Sequence, residues 1–232
     1  MYYKKVSIVI PVYNEQDTIQ FVIDQVRAAD VLGLEKEIII VDDCSTDKTN
    51  EILTRNRDSF LLIKHQTNQG KGQALQTGFK LATGDIVVVQ DADLEYDPAE
   101  IHQVIEPILN QGAKVVYGSR YFKHAESLSF WHSLFNKLFT KFGNRLLGLE
   151  LTDIMTCYKA FDRSALITFL DKLQSKRFGF EPEVTAKLAK SGLRIVEVPI
   201  SYQPRSHTQG KHMSFVGELE CLWALIKYSF LK

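Results

Sequence analysis

Short apolar runs alternate with helix-patterned segments through the first half of the chain, and this alternation restricts the fold more than any other feature. The apolar runs lie near 6–11, 37–41, 60–64, 85–90 and 114–118, and segments with helical spacing lie near 18–29, 47–56, 73–82 and 98–110. Strands that alternate with helices pair mainly in parallel, with helices on both faces of the sheet. The sequence therefore predicts an α/β fold with a mainly parallel central sheet.

The second half of the chain has a different pattern. It contains a long amphipathic stretch, a strand-like segment, two helices near Ser164 and Pro182, a further strand, and a polar loop before a C-terminal helix. The amphipathic stretch covers 129–147, and the two strand segments cover 157–161 and 194–202. No linker rich in Ser, Gly or Pro separates the halves, and there is no internal repeat. We expect one domain over residues 1–232, made of the halves 1–118 and 119–232.

Composition excludes several classes of protein. A chain of 232 residues with 45% hydrophobic residues is long enough to bury a full core. Lys plus Arg and Asp plus Glu each number 28, so there is no global basic field for nucleic acid. The three cysteines are widely spaced, which favours reduced thiols in a cytoplasmic protein. The N-terminus lacks a signal-peptide pattern and no apolar run reaches spanning length, so we expect neither export nor a membrane span.

Asp91 and Asp93 follow the apolar run Asp85-Ile-Val-Val-Val-Gln90. Such a strand is buried on both faces, so carboxylates just beyond it stand at the edge of the sheet where ligands bind in open α/β folds. Residues two apart in extended chain point the same way, and paired carboxylates suit Mg²⁺ or Mn²⁺ shared with substrate phosphate oxygens. The alternative is a solvated Asp-Ala-Asp turn, which is the commoner meaning of an isolated pair.

Two other strands also end in polar residues at this edge. The first continues into Ile10-Pro-Val-Tyr-Asn-Glu15 and the second into Val41-Asp-Asp-Cys-Ser-Thr-Asp47. Asp42 is placed to accept hydrogen bonds from ribose hydroxyls or a base edge, whereas Ser45 to Asp47 favour helix capping. Gly70-Lys71-Gly72 matches neither a P-loop nor a dinucleotide fingerprint. It predicts a turn that opens a helix, with Lys71 near a donor phosphate.

Arg120 follows the fifth strand of the first half, between Ser119 and Tyr121. A lone arginine at a strand end is either a solvated charge or a ligand for an anion. Guanidinium binds phosphate in a bidentate manner, which suits a lipid phosphate better than a sugar hydroxyl.

An apolar stripe with helical spacing runs through the stretch from Ser127 to Leu149, which has no acidic residue. The stripe contains Trp131, Leu134, Phe135, Leu138, Phe139 and Phe142, and a second row contains Lys137, Lys141 and Arg145. Such a stripe usually packs in the core, but aromatics bordered by cations are also typical of a helix in a membrane interface. The C-terminal run 222–232 is similar, and we predict reversible contact with a membrane surface.

Taken in order, these motifs resemble the family 2 glycosyltransferases, specifically the branch that contains dolichyl-phosphate mannose and glucose synthases. The resemblance covers nearly the whole chain. It is carried by Ile10 to Glu15, Val41 to Asp47, Gly70-Lys-Gly72 with Gly78, Asp91-Ala-Asp93, Gly118-Ser-Arg120, Asp153 with Cys157-Tyr-Lys159, Phe180-Glu-Pro-Glu183, and Val198-Pro-Ile-Ser-Tyr202 with Arg205 and Lys211.

The resemblance implies a GT-A type fold with amphipathic helices on the acceptor side. It implies an inverting, metal-dependent transfer of a hexose from a GDP- or UDP-sugar to a polyprenyl phosphate, dolichyl or undecaprenyl, at the cytoplasmic face of a membrane. Residues 1–118 would then form the nucleotide-sugar-binding half and 119–232 the acceptor-side half. The donor would be bound by Pro11, Tyr13, Glu15, Asp42, Lys71 and Asp91, and Mg²⁺ or Mn²⁺ by Asp91, Asp93 and Glu95. Arg120 and Glu183 would contact the acceptor, and Asp93, Asp153, Arg205 and Lys211 would act in catalysis.

Two other functions remain compatible with the sequence. One is a family 2 transferase that adds a sugar to a glycan hydroxyl, a reaction that needs a carboxylate such as Asp153 as general base. The other is a non-catalytic module that binds a nucleotide sugar or a lipid. The presence of both Asp91 and Asp93 argues against this function. A nucleotidyltransferase is disfavoured because Val12-Tyr-Asn-Glu15 replaces the Gly-rich loop such an enzyme needs.

Overall fold

A computed structural model describes residues 3–122, 130–205 and 215–230 of the chain. Its strands are β1 (Lys5–Val12), β2 (Glu35–Asp42), β3 (Leu61–Lys64), β4 (Ile86–Val89), β5 (Val115–Ser119), β6 (Lys159–Asp162) and β7 (Ile195–Pro199). Its helices are α1 (Ile19–Ala28), α2 (Thr49–Arg55), α3 (Lys71–Leu81), α4 (Ile101–Gln111), α5 (Phe130–Leu147), α6 (Arg163–Phe169), α7 (Phe180–Lys190) and α8 (Phe215–Phe230).

The described strands form one sheet of seven in the order β3-β2-β1-β4-β6-β5-β7. β6 runs antiparallel to both of its neighbours, and the other pairings are parallel. The α/β fold with a mainly parallel sheet is therefore confirmed. The order places β2, β1 and β4 side by side, so the three polar strand ends found in the sequence meet at one edge.

Side chains from the central strands alternate between two cores, one on each face of the sheet. In β1, Ile8 and Ile10 belong to the core that packs α1, α2 and α4, whereas Val9 belongs to the core that packs α3 and α5 to α8. All four residues of β4 are buried and divide in the same way between the two cores. This double burial explains why the strands read as continuous apolar runs.

α5 uses only part of its apolar stripe for packing. Phe139 is buried and its ring centroid lies 5.8 Å from that of the half-buried Phe135. Leu134, Leu138 and Phe142 are exposed on the same helix. The core interpretation of the stripe therefore applies to one side of α5, and contact of its exposed side with a membrane stays a prediction. In the part of the chain that is described, no helix combines the length and apolarity needed to cross a membrane.

Phe79 connects α3 to the second half of the chain. It is buried, and its ring centroid lies 5.9 Å from that of Phe161 in β6 and 6.2 Å from that of Phe180 in α7. Replacing Phe79 by Ala is expected to lower the free energy of unfolding by about 3–5 kcal/mol, because the cavity is lined by rigid aromatic rings.

Phe21 supplies the matched control, since it is 55% exposed on α1. Phe21→Ala is expected to cost less than about 1 kcal/mol. Urea unfolding curves of both variants measure the difference, and equal losses would contradict this assignment of the core.

Candidate active site

The carboxyl ends of β1, β2 and β4 are followed by sharply bent loops. Each loop contains a non-glycine residue in the left-handed region: Asn14 with φ 54°, Cys44 with φ 66° and Leu94 with φ 62°. Such conformations are uncommon for residues with a side chain and concentrate at ligand sites. The Asn14 side-chain oxygen accepts a hydrogen bond of 2.8 Å from the Thr46 N–H, which joins the first two loops.

A cavity of about 420 Å³ opens at this edge of the sheet, and this volume suits a small-molecule ligand. It is lined by Pro11, Val12, Tyr13, Glu15, Asp43, Asn68, Gly70, Lys71, Ala74, Asp91, Ala92, Asp93, Arg177 and Phe178. The predicted residues Pro11, Tyr13, Glu15, Lys71, Asp91 and Asp93 are therefore brought together. Their individual roles stay predictions.

Asp91 and Lys71 form an ion pair inside the cavity. Lys71 Nζ lies 2.6 Å from Oδ1 of Asp91 and donates a hydrogen bond of 2.7 Å to Oδ2. Burial alone would lower the pKa of Lys71, but the Asp91 carboxylate holds that pKa well above its usual value. Oδ1 of Asp91 is buried and, apart from this ionic contact with Lys71 Nζ, has no hydrogen-bond partner among the described residues. This oxygen therefore retains capacity for a further ligand.

Asp93 carries the second carboxylate of the pair. Burial and the neighbouring charges of Asp91 and Glu95 raise the pKa of Asp93 to about 7. Two carboxylates this close repel each other, and a divalent cation between them would remove the repulsion. Among the described residues, no group of three His, Cys, Asp or Glu side chains is placed to hold a metal ion unaided. An ion here would need ligand oxygens from a substrate.

Glu95, the predicted third metal ligand, is used elsewhere. Its Oε2 accepts a hydrogen bond of 2.8 Å from the Tyr202 hydroxyl, and its Oε1 accepts one of 3.0 Å from the Arg205 N–H. Because both oxygens face the segment 202–205, the predicted set of three carboxylates is not formed. Glu95 instead attaches this segment to the loop after β4.

Arg205 and Glu15 are paired with each other across the cavity entrance. The Arg205 guanidinium donates hydrogen bonds to Glu15 from Nη1 to Oε1 at 3.0 Å and from Nη2 to Oε2 at 2.6 Å. Its Nε donates to the Asp93 carbonyl oxygen at 2.7 Å. Burial opposes the charge, but the bonded Glu15 carboxylate raises the pKa of Arg205. Glu15 therefore holds Arg205 in this structure, and its contact with a donor stays a prediction. Lys211, the other predicted cation, lies outside the described residues.

Asp42 and Asp43 differ from the sequence prediction. Asp42 is fully buried, and its oxygens accept hydrogen bonds from the Ser45 N–H at 2.9 Å and the Asn50 amide at 3.1 Å. Its neighbour Asp43 lines the cavity instead. The donor-contact role predicted for Asp42 is therefore corrected, because its side chain is turned into the loop that leads to α2.

Arg120 and Asp153, predicted for acceptor binding and catalysis, form a buried ion pair. Arg120 Nε donates to Asp153 Oδ2 at 2.7 Å and NH2 donates to Oδ1 at 2.8 Å. Asp153 is fully buried, and the Arg120 guanidinium lies 5.1 Å from the ring centroid of Tyr202. Although burial opposes it, the Asp153 charge holds the pKa of Arg120 well above its usual value. This placement changes the expected roles, because the two charges face each other rather than an incoming acceptor.

Glu183 supports the site from behind instead of contacting an acceptor. It is fully buried in the first turn of α7, and its carboxylate accepts hydrogen bonds from the Gln174 N–H at 2.9 Å and the Ser175 N–H at 2.6 Å. The next carbonyl along, that of Lys176, accepts a bond of 3.0 Å from the Gln73 N–H. Glu183 thus fixes the backbone against which the start of α3 rests.

Asp43 holds the other side of the same segment. Its carboxylate accepts hydrogen bonds from the Gln69 N–H at 2.9 Å and the Gly70 N–H at 2.6 Å, and His65 Nδ1 lies 2.7 Å from Oδ1. Together with the segment 174–176, this carboxylate sets the position of Lys71 over Asp91.

Eight lining residues are not among the predicted site residues, and four of these eight carry a polar or aromatic side chain: Asp43, Asn68, Arg177 and Phe178. The sequence could have indicated Asp43, because it follows Asp42 at the end of a strand and lies too early to cap α2. It could not have indicated Arg177 and Phe178, because they reach the cavity from a loop far along the chain.

Comparison with known proteins agrees with this geometry. The sequence model described as glycosyl transferase family 2 matches residues 7–170. An undecaprenyl-phosphate mannosyltransferase from Micrococcus luteus is 31% identical over 226 residues, covering 92% of this chain and 90% of that protein. A dolichol-phosphate mannosyltransferase from Pyrococcus furiosus is 30% identical over 213 residues, and the match covers 89% of this chain but 59% of that protein.

Solved structures share the fold. Glucosyl-3-phosphoglycerate synthase from Mycobacterium tuberculosis, in complex with Mn²⁺, UDP and phosphoglyceric acid, matches with a TM-score of 0.73. The match covers 99% of this chain and 80% of that one at 20% identity. At this identity the likeness concerns the fold, which is of the GT-A type.

Gly72 tests the support of the cavity by the segment 174–176. A Cβ atom on Gly72 would lie 2.6 Å from the Ser175 carbonyl oxygen and 2.9 Å from Phe180 Cβ. Gly72→Ala is therefore expected to displace the start of α3, with Lys71, and to cost about 1–3 kcal/mol of stability. We expect nucleotide binding, measured by calorimetry, to weaken by about tenfold, since Lys71 leaves its place. The control Gln73→Ala adds no atoms and should leave binding unchanged; normal binding by the Gly72 variant would contradict the role of this support.

Proposed function

Since the chain belongs to glycosyl transferase family 2 and is a glycosyltransferase, we propose that it moves a hexose from a GDP- or UDP-sugar to a polyprenyl phosphate with the aid of Mg²⁺ or Mn²⁺. The observation that carries the proposal is the pair Asp91 and Asp93, with Lys71, in a cavity at the carboxyl edge of a parallel sheet. The names of the relatives from M. luteus and P. furiosus support the lipid acceptor, and the structural neighbour with UDP supports a nucleotide donor.

The donor nucleoside is proposed to lie on the β1 side of the cavity. Pro11 and Tyr13 line that side, and Tyr13 is 45% exposed, so its ring is available for contact with a base or ribose. The Asn68 side chain offers a neutral polar group nearby. Asp43 acts indirectly, because its oxygens are already bonded to Gln69 and Gly70.

The donor set of the cavity fits a divalent cation shared with the substrate. Asp91 Oδ1 is buried and has no hydrogen-bond partner besides the nearby Lys71 Nζ among the described residues, and burial with the charges of Asp91 and Glu95 raises the pKa of Asp93 to about 7. Asp91 and Asp93 would hold the ion, and a bound ion would withdraw charge from the leaving diphosphate. Both carboxylates are hard oxygen ligands, as Mg²⁺ and Mn²⁺ prefer.

Two cations are proposed to stabilise the leaving group. In the proposed reaction, an acceptor oxygen attacks the anomeric carbon, the bond from that carbon to the diphosphate oxygen breaks, and its electron pair leaves with the nucleoside diphosphate. Lys71 and Arg205 lie beside the carboxylates, where negative charge develops on the leaving group. Lys211 is proposed for the same role.

A phosphate acceptor removes the need for a general base. The second pKa of a phosphate monoester is about 6, so the acceptor is already mostly ionised at neutral pH. This agrees with the burial of Asp153 against Arg120, which leaves that carboxylate no free oxygen to take a proton. We propose that Asp153 positions Arg120, and through it Tyr202 and the segment that carries Arg205.

The exposed apolar side chains of α5 and α8 are proposed to contact the membrane that holds the acceptor. We call this set the apolar surface; it consists of Leu134, Leu138, Phe142, Val216, Leu219, Trp223 and Phe230. The exposed cations Lys137, Lys141 and Arg145 border it on α5. Large apolar groups flanked by cations suit a helix lying in the interface of an anionic bilayer.

The proposed function predicts metal-dependent transfer. Sugar transfer from GDP-mannose or UDP-glucose to undecaprenyl phosphate should stop with EDTA and return with Mg²⁺ or Mn²⁺. Asp93→Asn should lower the rate by about a hundredfold, because one metal-binding charge is lost. The control Asp58→Asn changes an exposed carboxylate outside the cavity and should match wild type. EDTA-resistant transfer would refute the metal, and no transfer to any polyprenyl phosphate would refute the acceptor.

Membrane contact is tested by co-sedimentation with anionic lipid vesicles at low salt. Leu138→Glu and Trp223→Glu each place a charge in the apolar surface and should weaken partitioning by about tenfold. Ile167→Glu is the matched control, since Ile167 is 61% exposed on α6, outside that surface. Equal binding by all the variants, or failure of wild type to co-sediment, would exclude this surface.

A further inference from the structure

Arg177 lines the cavity but has no role in the scheme above. Its side chain is exposed, and among the described residues its one hydrogen-bond acceptor is the neutral Asn68 Oδ1, at 3.3 Å from NH2. Three other cations around the site are paired with carboxylates: Lys71 with Asp91, Arg205 with Glu15, and Arg120 with Asp153. Arg177 therefore keeps its charge available for an anionic ligand.

The position of Arg177 is set by tight packing against the start of α3. A Cβ atom on Gly70 would lie 2.6 Å from Arg177 Cγ and 2.5 Å from the Lys176 carbonyl oxygen. Gly70, with φ 97°, also tolerates a backbone conformation that other residues rarely adopt. The stem of the Arg177 side chain thus lies against the residue before Lys71, and its guanidinium reaches Asn68, which also lines the cavity.

Phe178 connects the cavity wall to α8. It lines the cavity and is 41% exposed, and its ring would lie 3.2 Å from a Cβ atom on Gly217. The Phe178 carbonyl is 3.3 Å from Cys221 Sγ, a second contact with the same helix. Val216 and Leu219, neighbours of Gly217 along α8, belong to the apolar surface. An aromatic ring therefore stands between the polar cavity and this surface.

We propose that Arg177 binds the phosphate of the lipid acceptor and that the first isoprene units pass over Phe178 toward α8. The inference rests on the proposed function and gives the acceptor a defined site. A polyprenyl phosphate has an anionic group at one end, followed by an apolar chain. Arg177, Phe178 and the apolar surface provide, in the same order, a cation, an aromatic ring and exposed apolar side chains. Guanidinium binds phosphate in a bidentate manner, and the chain remains against apolar groups. A free phosphate would use Arg177 but gain nothing from Phe178.

Steady-state kinetics with two soluble acceptors, farnesyl phosphate and dimethylallyl phosphate, test both contacts without a membrane. Arg177→Ala is expected to raise the KM for both acceptors by about tenfold or more, while the KM for the nucleotide sugar stays within about twofold. Phe178→Ser is expected to raise the KM for farnesyl phosphate and to leave that for dimethylallyl phosphate unchanged, because the shorter chain ends before the ring.

Arg57→Ala is the matched control, since Arg57 is exposed and does not line the cavity. A rise in the KM for the nucleotide sugar with Arg177→Ala would place Arg177 on the donor and overturn the inference. Unchanged acceptor kinetics in Arg177→Ala would also overturn it while leaving the proposed function intact. A wild-type protein that transfers sugar to neither acceptor nor to undecaprenyl phosphate would remove both.

Discussion

The site depends on one constraint: the negative charges of several crowded carboxylates must be compensated. The order β2-β1-β4 brings several acidic residues to one small cavity, where burial strengthens their repulsion. Three of these carboxylates have a partner: Glu15 pairs with Arg205, Asp91 pairs with Lys71, and Asp43 accepts hydrogen bonds from backbone N–H groups and contacts His65. For Asp93, burial and the neighbouring carboxylates instead raise the pKa to about 7. Asp93 is the least compensated of these groups, so the proposed cation would act most strongly on it.

The sequence predicted the layers of the fold and the edge of the sheet at which the cavity opens. Apolar runs identified β1, β2 and β4, because strand segments buried on both faces carry few polar residues. Polar residues at their ends had to meet once those strands paired as neighbours. A strand was predicted at 157–161, but its position between β4 and β5 and its antiparallel direction were not. The four residues of β6 do not show in which direction the strand runs.

The choice of partner for each charged side chain could not be predicted. Arg120 and Asp153 are far apart in the sequence, and their pairing depends on how the segment before β6 returns to the end of β5. Asp42 and Asp43 are adjacent and chemically identical, so the bend at Cys44 decides which one reaches the cavity. Glu183 resembled an acceptor ligand by motif, but the turn before α7 brings backbone N–H groups to it. In each case a contact distant along the chain determines the role.

The late position of β6 in the chain has a consequence for synthesis on the ribosome. β4 pairs with β6 through residues such as Val88 and Ala160, so β4 lacks this neighbour until the chain has been made past residue 162. During that interval a wholly apolar strand presents an open edge, the kind of surface on which nascent chains associate wrongly. Closure of the sheet then requires β6 to insert between β4 and β5. Because β4 and β6 are far apart in the sequence, this pairing slows folding. Protection of this edge by a chaperone would favour correct assembly of the sheet.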